Sequence, residues 1–136
     1  KTTVATLSNA MDVSRPNNWP RVEELFKRNG WGLTDLGSGM LSDSETEDTL
    51  KAMQAKGYLC EPHGAIAYQV LKDQLKAGET GIFLCTAHPA KFKESVERIL
   101  GIQLSLPEAL DKHNQLPLLS DEMDNDFAQL RAYLLK

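Results

Sequence analysis

Two cysteines and two histidines recur at one spacing in the middle of the chain. Cys60 and His63 form one Cys-x2-His pair, and Cys85 and His88 form a second. Thiolate and imidazole are ligands of tetrahedral zinc, so these four groups could complete a structural metal site. Both pairs, however, follow short apolar runs that are typical of strands, in a chain that has a core of its own. We therefore favour two buried thiols in a reducing compartment and expect no metal ion.

The segment that follows Cys85 suggests two further kinds of chemistry. A Cys-x5-Arg loop between a strand and a helix binds phosphate in phosphatases, but Lys91 stands where that loop needs a planar guanidinium. The hydroxyl of Thr86 is the other candidate, because it can exchange one hydrogen bond with a ring nitrogen of a ligand lying over the strand end. The residues alone leave this role open against an ordinary helix cap near Ala90.

Alternating strands and helices would position these groups. The patterns predict short strands at residues 3–7, 58–60 and 82–85. The last of these is continuously apolar, as in strands that are buried on both faces of a parallel sheet. Strands that alternate with helices indicate βαβ units and a parallel layout. A complete doubly wound domain has about five or six strands, so the sequence predicts an α/β fold with a partial parallel sheet and flanking helices.

Apolar residues at helical spacing predict the helices that flank this sheet. The first begins after Asn18, and the second opens at a capping box over residues 44–47 and stops at Gly57. The others are expected at residues 65–76, at residues 92–100 and in a C-terminal stretch that includes Met123, Phe127, Leu130 and Leu134. Glu94 and Arg98 are spaced as an outward i,i+4 ion pair.

Composition and charge limit the classes of partner. The 136 residues are 41% hydrophobic and 25% charged, as in an ordinary globular protein. The 15 basic residues are scattered among 19 acidic ones, for a net charge of −4, so we expect no nucleic acid and no membrane as partners. No apolar run approaches the roughly 18–20 residues of a membrane span, and the N-terminus lacks the pattern of a signal peptide. We therefore expect a cytoplasmic protein.

Blocks of sequence around the two cysteines resemble one particular family. Residues 57–65 (GYLCEPHGA) and 84–92 (LCTAHPAKF) are similar to the closing blocks of the threonine synthases, which are pyridoxal-phosphate enzymes of fold type II. Residues 5–14 and 16–23 resemble an earlier block of the same family. The likeness runs in order from residue 3 to about residue 119, which makes it more specific than any single motif.

The resemblance implies an activity, a cofactor and a set of site residues. The family converts O-phospho-L-homoserine and water to L-threonine and phosphate, with pyridoxal 5'-phosphate as its cofactor. Thr86 would face the pyridine nitrogen, and a neutral hydroxyl there moderates the ring as an electron sink. Glu61, His63, Ala87 and His88 would lie near the cofactor, with the two histidines expected to be structural rather than acid-base groups.

The family's Schiff-base lysine lies in an N-terminal motif, its Gly/Ser-rich cradle for the cofactor phosphate follows later, and this sequence has neither motif. We therefore expect the chain to be the C-terminal part of such an enzyme's catalytic domain, with residues 1–104 as sheet and helices and residues 105–136 as a helical extension. It would hold no catalytic residue, be inactive alone and need the N-terminal remainder as a partner. Without that partner, the exposed sheet edge would favour self-association. The alternative is a noncatalytic α/β module that binds a partner or a small ligand.

Overall fold

A computed structural model describes residues 2–135, and the chain forms two compact units, Lys1–Ser105 and Leu106–Lys136. The first unit contains the helices α1 (Trp19–Asn29), α2 (Asp43–Ala55), α3 (Pro62–Gln74) and α4 (Lys93–Leu100). The second contains α5 (Glu108–Asn114) and α6 (Phe127–Leu134). Short 3-10 turns lie at Asn9–Met11, Leu33–Asp35 and Pro89–Phe92. In this described part of the chain, no helix combines the length and the apolar character that crossing a membrane requires.

Helix α2 begins earlier than the sequence analysis predicted. The N–H of Glu45 donates to the hydroxyl of Ser42 at 3.3 Å, and the Glu45 carboxylate accepts from the N–H of Ser42 at 2.7 Å. The Ser42 hydroxyl also donates to the Glu45 carboxylate at 2.7 Å, and this hydrogen bond, followed by that from the Ser42 N–H, holds the pKa of Glu45 below its ordinary value. The capping box predicted at residues 44–47 is therefore wrong, because Ser42 and Glu45 satisfy the same spacing two residues earlier.

The core of the first unit lies where α2 packs against α3 and α4. One buried cluster joins residues of these helices and of the loop between α2 and α3, namely Leu50, Met53, Cys60, Ala65 and Ile99. A second cluster is formed by Phe92, Val96 and Leu104. The apolar faces predicted for α2 and α4 are thus confirmed.

Helix α4 ends at Gly101, as predicted, with φ of 64° in the left-handed region that favours glycine. The predicted ion pair between Glu94 and Arg98 is wrong. Arg98 instead donates from Nη1 to Oε1 of Glu47 on α2, at 3.1 Å. The guanidinium reaches the neighbouring helix because α2 and α4 are in contact, so this pair joins two helices rather than one turn of α4.

No β-strand is present among residues 2–135. The strands predicted by the sequence lie at residues 3–7, 58–60 and 82–85. A strand forms only where a neighbouring segment supplies hydrogen bonds, and these three segments do not pair with one another. Ile82 and Leu84 are 88% and 72% exposed, so the run predicted to be buried on both faces is open to solvent in this chain. The described residues therefore do not by themselves form the predicted partial parallel sheet.

The second unit consists of short helices whose side chains are largely exposed. The Asp126 carboxylate accepts hydrogen bonds from the N–H groups of Ala128 and Gln129, both at 3.2 Å, and so caps α6. The hydroxyl of Tyr133 donates to the carboxylate of Asp121. The predicted C-terminal helix is confirmed as α6, whereas α5 was not predicted.

Candidate functional site

The segments that contain the two cysteines meet at the start of α3. The Sγ atoms of Cys60 and Cys85 are 3.9 Å apart, although 25 positions separate them in the chain. Gly64 makes this approach possible, because a Cβ at this position would lie 2.5 Å from Sγ of Cys60 and 2.9 Å from Sγ of Cys85. The loops that follow the two cysteines are therefore neighbours.

Glu61 is a buried carboxylate that caps α3. It is 1% exposed, and it accepts hydrogen bonds from the N–H groups of His63 and Gly64, both at 2.8 Å. Pro62 has no N–H, and the N–H of Ala65 donates to the Glu61 carbonyl at 3.0 Å. The first turn of α3 thus has its own anion and no spare donor, so it is not a binding site for a phosphate group.

The same carboxylate also holds His63. Its Oε2 lies 2.7 Å from Nδ1 of His63, which places the proton of a neutral imidazole on Nδ1. The ring packs against Phe92, with 5.1 Å between the ring centroids. Nε2 is buried and has no hydrogen-bond partner within residues 2–135. His63 is therefore oriented through one nitrogen only.

Thr86 follows Cys85 and is exposed. Its hydroxyl takes part in none of the hydrogen bonds of the described residues. Instead, Nδ1 of His88 accepts the N–H of Ala90 at 3.1 Å and caps the 3-10 turn Pro89–Phe92. The alternative interpretation of Thr86 as the cap near Ala90 is therefore wrong. Ala87, between them, is half-buried and packs against the second core cluster.

The two cysteines differ in their surroundings. Cys60 is buried and Cys85 is exposed, and both are free thiols. Burial, and secondarily the nearby Cys85, raises the pKa of the Cys60 thiol to about 12. The hydroxyl of Tyr58 donates to Sγ of Cys85 at 3.4 Å, and this contact raises the pKa of Tyr58. Cys60 is thus a protonated thiol at neutral pH.

Across residues 2–135, no group of three or more His, Cys, Asp or Glu side chains is placed to hold a metal ion. The two Cys-x2-His pairs bring their sulfur atoms together, but Nδ1 of each histidine is engaged within its own loop. Neither Gly64 nor Tyr58 was predicted as a site residue. The only sequence signal for Gly64 is a glycine directly after the first Cys-x2-His pair and directly before the predicted helix.

An open cavity of about 430 Å³ adjoins Cys85. Its lining comes from α2, α3 and the two loops, and consists of Met53, Lys56, Tyr58, Tyr68, Phe83 and Cys85. Nζ of Lys56 donates to the Tyr68 hydroxyl at 2.8 Å, which lowers the pKa of Tyr68. The surface next to the candidate site is therefore mainly aromatic and apolar, with one cation at its rim.

A family model described as "Threonine synthase, C-terminal" matches residues 64–134, which is just over half of the chain. The chain belongs to the threonine synthase family, and the part of the family that the model represents is its C-terminal portion.

Curated relatives and solved structures agree with this assignment. The threonine synthase of Haemophilus influenzae is 96% identical over 136 residues, which are 100% of this chain and 32% of the relative. The crystal structure of threonine synthase from Escherichia coli matches with a TM-score of 0.91 at 57% identity, over 99% of this chain and 32% of that one. A structure of PLP-bound threonine synthase from Brucella melitensis matches with a TM-score of 0.74 at 25% identity, over 98% of this chain and 34% of that one. The chain spans about a third of the length of the curated relatives it matches.

Proposed function

We propose that this chain is the C-terminal part of an enzyme that converts O-phospho-L-homoserine and water to L-threonine and phosphate. The observation that carries the proposal is the 96% identity over the whole chain to a protein named threonine synthase. The reaction belongs to the complete enzyme, of which the N-terminal remainder is the necessary partner. The chain alone is expected to be inactive.

Pyridoxal 5'-phosphate is the proposed cofactor of the complete enzyme. When bound, it withdraws electrons from the substrate amino acid and stabilises negative charge on its carbon atoms. The Thr86 hydroxyl fits the cofactor's ring nitrogen, since it is exposed and makes no hydrogen bond within residues 2–135. The related structure from Brucella melitensis, named as PLP-bound, supports this choice of cofactor.

The residues of this chain would position the cofactor rather than react with it. The Glu61 carboxylate accepts the N–H groups at the start of α3 and leaves none for a phosphate group. We therefore assign binding of the cofactor's phosphate to the N-terminal remainder, which would also contain the lysine that anchors the ring. His63, held by Glu61, and His88, which caps its own turn, serve as structural groups that fix the two loops. Ala87 links the Thr86 loop to the second core cluster.

We propose that residues 58–60 and 82–85 become parallel strands when the N-terminal remainder is present. The remainder would supply the neighbouring strands, as in a fold type II catalytic domain to which residues 1–104 contribute. Residues 105–136 would be its C-terminal helical extension. The support is the exposure of Ile82 and Leu84, which leaves an apolar surface beside unpaired backbone. Without the remainder, the same surface favours self-association.

We also propose that the protein works in the cytoplasm. The two thiols lie 3.9 Å apart and are free, an arrangement that suits a reducing compartment.

Reconstitution tests the proposed function. The chain would be co-expressed with the N-terminal two thirds of the Haemophilus influenzae relative, and phosphate release from O-phospho-L-homoserine would be measured with added cofactor. We expect activity from the pair and none from either part alone. A reconstituted complex that binds the cofactor but releases no phosphate would favour the alternative, a noncatalytic binding module.

Substitutions of Thr86 test its assigned position in that complex. Thr86→Val removes the hydroxyl and keeps the shape, and we expect turnover to fall about 10-fold or more, with a shifted absorption band of the bound cofactor. Thr86→Ser keeps the hydroxyl and should retain most of the activity. Equal kinetics and an unchanged spectrum for Thr86→Val would remove Thr86 from the site.

A further inference from the structure

We propose that Cys60 and Cys85 are a reversible oxidation site that closes to an intramolecular disulfide with a small-molecule disulfide, such as oxidised glutathione, as the oxidant. The inference rests on the distance between the two thiols and on the exposure of Cys85 in the chain by itself, without the N-terminal remainder that the proposed function places beside residues 82–85.

The two sulfur atoms are already close to bonding range. They are 3.9 Å apart, so closure to a sulfur-sulfur bond of about 2 Å requires them to approach by roughly 2 Å. Gly64 leaves the space between α3 and both sulfur atoms open, since any Cβ there would meet both of them. The distance between the thiols therefore depends on a glycine that a larger residue could not replace without displacing the cysteines.

The difference in exposure gives the two thiols different roles. In the chain alone, Cys85 is exposed and can meet an oxidant in solution, whereas Cys60 is buried at 3% exposure. Tyr58 contacts Sγ of Cys85 with its hydroxyl and provides a hydrogen-bond donor beside the thiol that reacts first. Cys85 is thus the attacking thiol, and Cys60 is the resolving thiol.

The reaction proceeds in two exchanges. The Cys85 thiolate attacks one sulfur of oxidised glutathione, which breaks the glutathione disulfide and releases one glutathione thiolate. The Cys60 sulfur then attacks Sγ of Cys85, forms the Cys60–Cys85 bond and releases the second glutathione. The protons of the two cysteines pass to the two released thiolates, and the oxidant takes up two electrons. The products are one protein disulfide and two reduced glutathione molecules.

The second exchange is the slower one, because burial and the neighbouring Cys85 raise the pKa of Cys60 to about 12. The groups that face Cys60 are Cys85 and Glu61, and Tyr58 faces Cys85 in turn. We therefore expect a mixed disulfide on Cys85 to accumulate first at neutral pH.

Closure would join the loop that begins at Glu61 to the loop that begins at Thr86. The first loop contains the Glu61 carboxylate that caps α3, and the second contains the hydroxyl of Thr86. The disulfide would close a loop of 25 positions in the unfolded chain and so restrict the unfolded state. The oxidised protein is therefore expected to unfold at a higher temperature than the reduced one.

The test is treatment of the reduced, purified chain with oxidised glutathione, followed by intact mass and peptide mapping. We expect one glutathione adduct on Cys85 that converts to a monomer lighter by two hydrogen atoms, with a peptide that links Cys60 to Cys85. Dithiothreitol should restore the original mass and the original Tm.

Two single variants serve as matched controls. Cys60→Ser should keep the glutathione adduct without further change, and Cys85→Ser should acquire almost no adduct, because Cys60 is buried. A wild-type chain whose adduct persists without conversion would overturn the proposal, as would a disulfide that forms only between two chains. Circular dichroism of each variant would establish that it is folded. If a variant does not fold, the alkylation rates of the two thiols in the folded wild type provide a second measurement, and Cys85 should react faster than Cys60.

Discussion

The carboxylate of Glu61 and the imidazole of His63 form a hydrogen bond of 2.7 Å at the buried start of α3. The same carboxylate accepts the N–H groups of His63 and Gly64, so one charged side chain satisfies three donors. A buried carboxylate is tolerated only where such donors surround it. This pair therefore fixes both the first turn of α3 and the orientation of the histidine.

Replacement of Glu61 should destabilise the chain. In Glu61→Ala three donors lose their acceptor, and we expect a loss of about 1–3 kcal/mol in the free energy of unfolding, measured by urea denaturation. Glu61→Gln keeps one acceptor oxygen and should lose less. Glu94→Ala, at an exposed position of α4, is the matched control and should change the free energy by less than about 0.5 kcal/mol. Equal stability of Glu61→Ala and Glu94→Ala would contradict the role of the cap.

The stability of the chain in acid should depend on Glu97. Its Oε1 accepts from Nζ of Lys93 at 2.6 Å and from the N–H of Leu104 at 2.7 Å. The hydrogen bond from Lys93, followed by that from Leu104, holds the pKa of Glu97 below its ordinary value of 4.5. A lowered pKa in the folded state stabilises the protein above pH 4.5, and this contribution is lost as the pH falls below 4.5 through the folded value.

Glu97→Gln should therefore be less stable than the wild type at pH 7, and the difference should shrink as the pH falls towards 3. The measurement is urea denaturation at intervals between pH 7 and pH 3. Glu94→Gln on the same helix is the control and should follow the wild-type profile. A constant difference between Glu97→Gln and the wild type across this range would exclude the proposed linkage.

The sequence predicted the local features of the fold better than its pairing. The positions of α1 and α4 follow from helical periodicity, and the end of α4 follows from Gly101, a signal that acts within a few residues. Asn18 lies at the start of α1 as predicted, but its side chain makes no capping hydrogen bond. The predicted strands are absent from residues 2–135. A strand needs a neighbouring segment to pair with, and the periodicity of one segment does not show whether that neighbour is present. The apolar run at residues 82–85 indicates a buried surface, but it cannot show which chain covers it.

The candidate site was predicted in its residues but not in its geometry. The resemblance selected Thr86 and the loop that starts at Glu61, and both assignments stay predictions. The contact between Cys60 and Cys85 joins positions far apart in the chain, and it depends on the missing side chain at Gly64. Such a contact emerges only after α3 has been placed in three dimensions.

Gly64→Ala should destabilise the first unit through a steric clash with two sulfur atoms. The new methyl group would lie within 2.5 Å of Sγ of Cys60, which is buried and cannot move freely. Overpacking of this kind costs about 1–3 kcal/mol. Removing the Cys60 sulfur in the double variant Gly64→Ala/Cys60→Ala should recover part of that loss. A double-mutant cycle in urea measures the coupling, and strictly additive effects would contradict the predicted clash.

Ile82→Ala separates the stability of this chain from its assembly with the N-terminal remainder. Ile82 is 88% exposed, so its truncation should change the free energy of unfolding of the isolated chain by less than about 0.5 kcal/mol. Leu50→Ala is the contrasting variant, since Leu50 is 1% exposed in the core and its loss should cost about 2–5 kcal/mol.

In the reconstituted pair the effect of Ile82→Ala should be larger than in the isolated chain. If residues 82–85 form a strand that the remainder covers, truncation removes buried apolar surface and should weaken association of the two parts by about 5-fold or more, measured by titration calorimetry. Leu118→Ala, which shortens a residue that is 88% exposed and lies outside every predicted strand, is the control for a nonspecific loss of apolar surface. If Ile82→Ala associates as tightly as the wild type, the outer face of residues 82–85 does not contact the remainder, and the proposed strand pairing there is wrong.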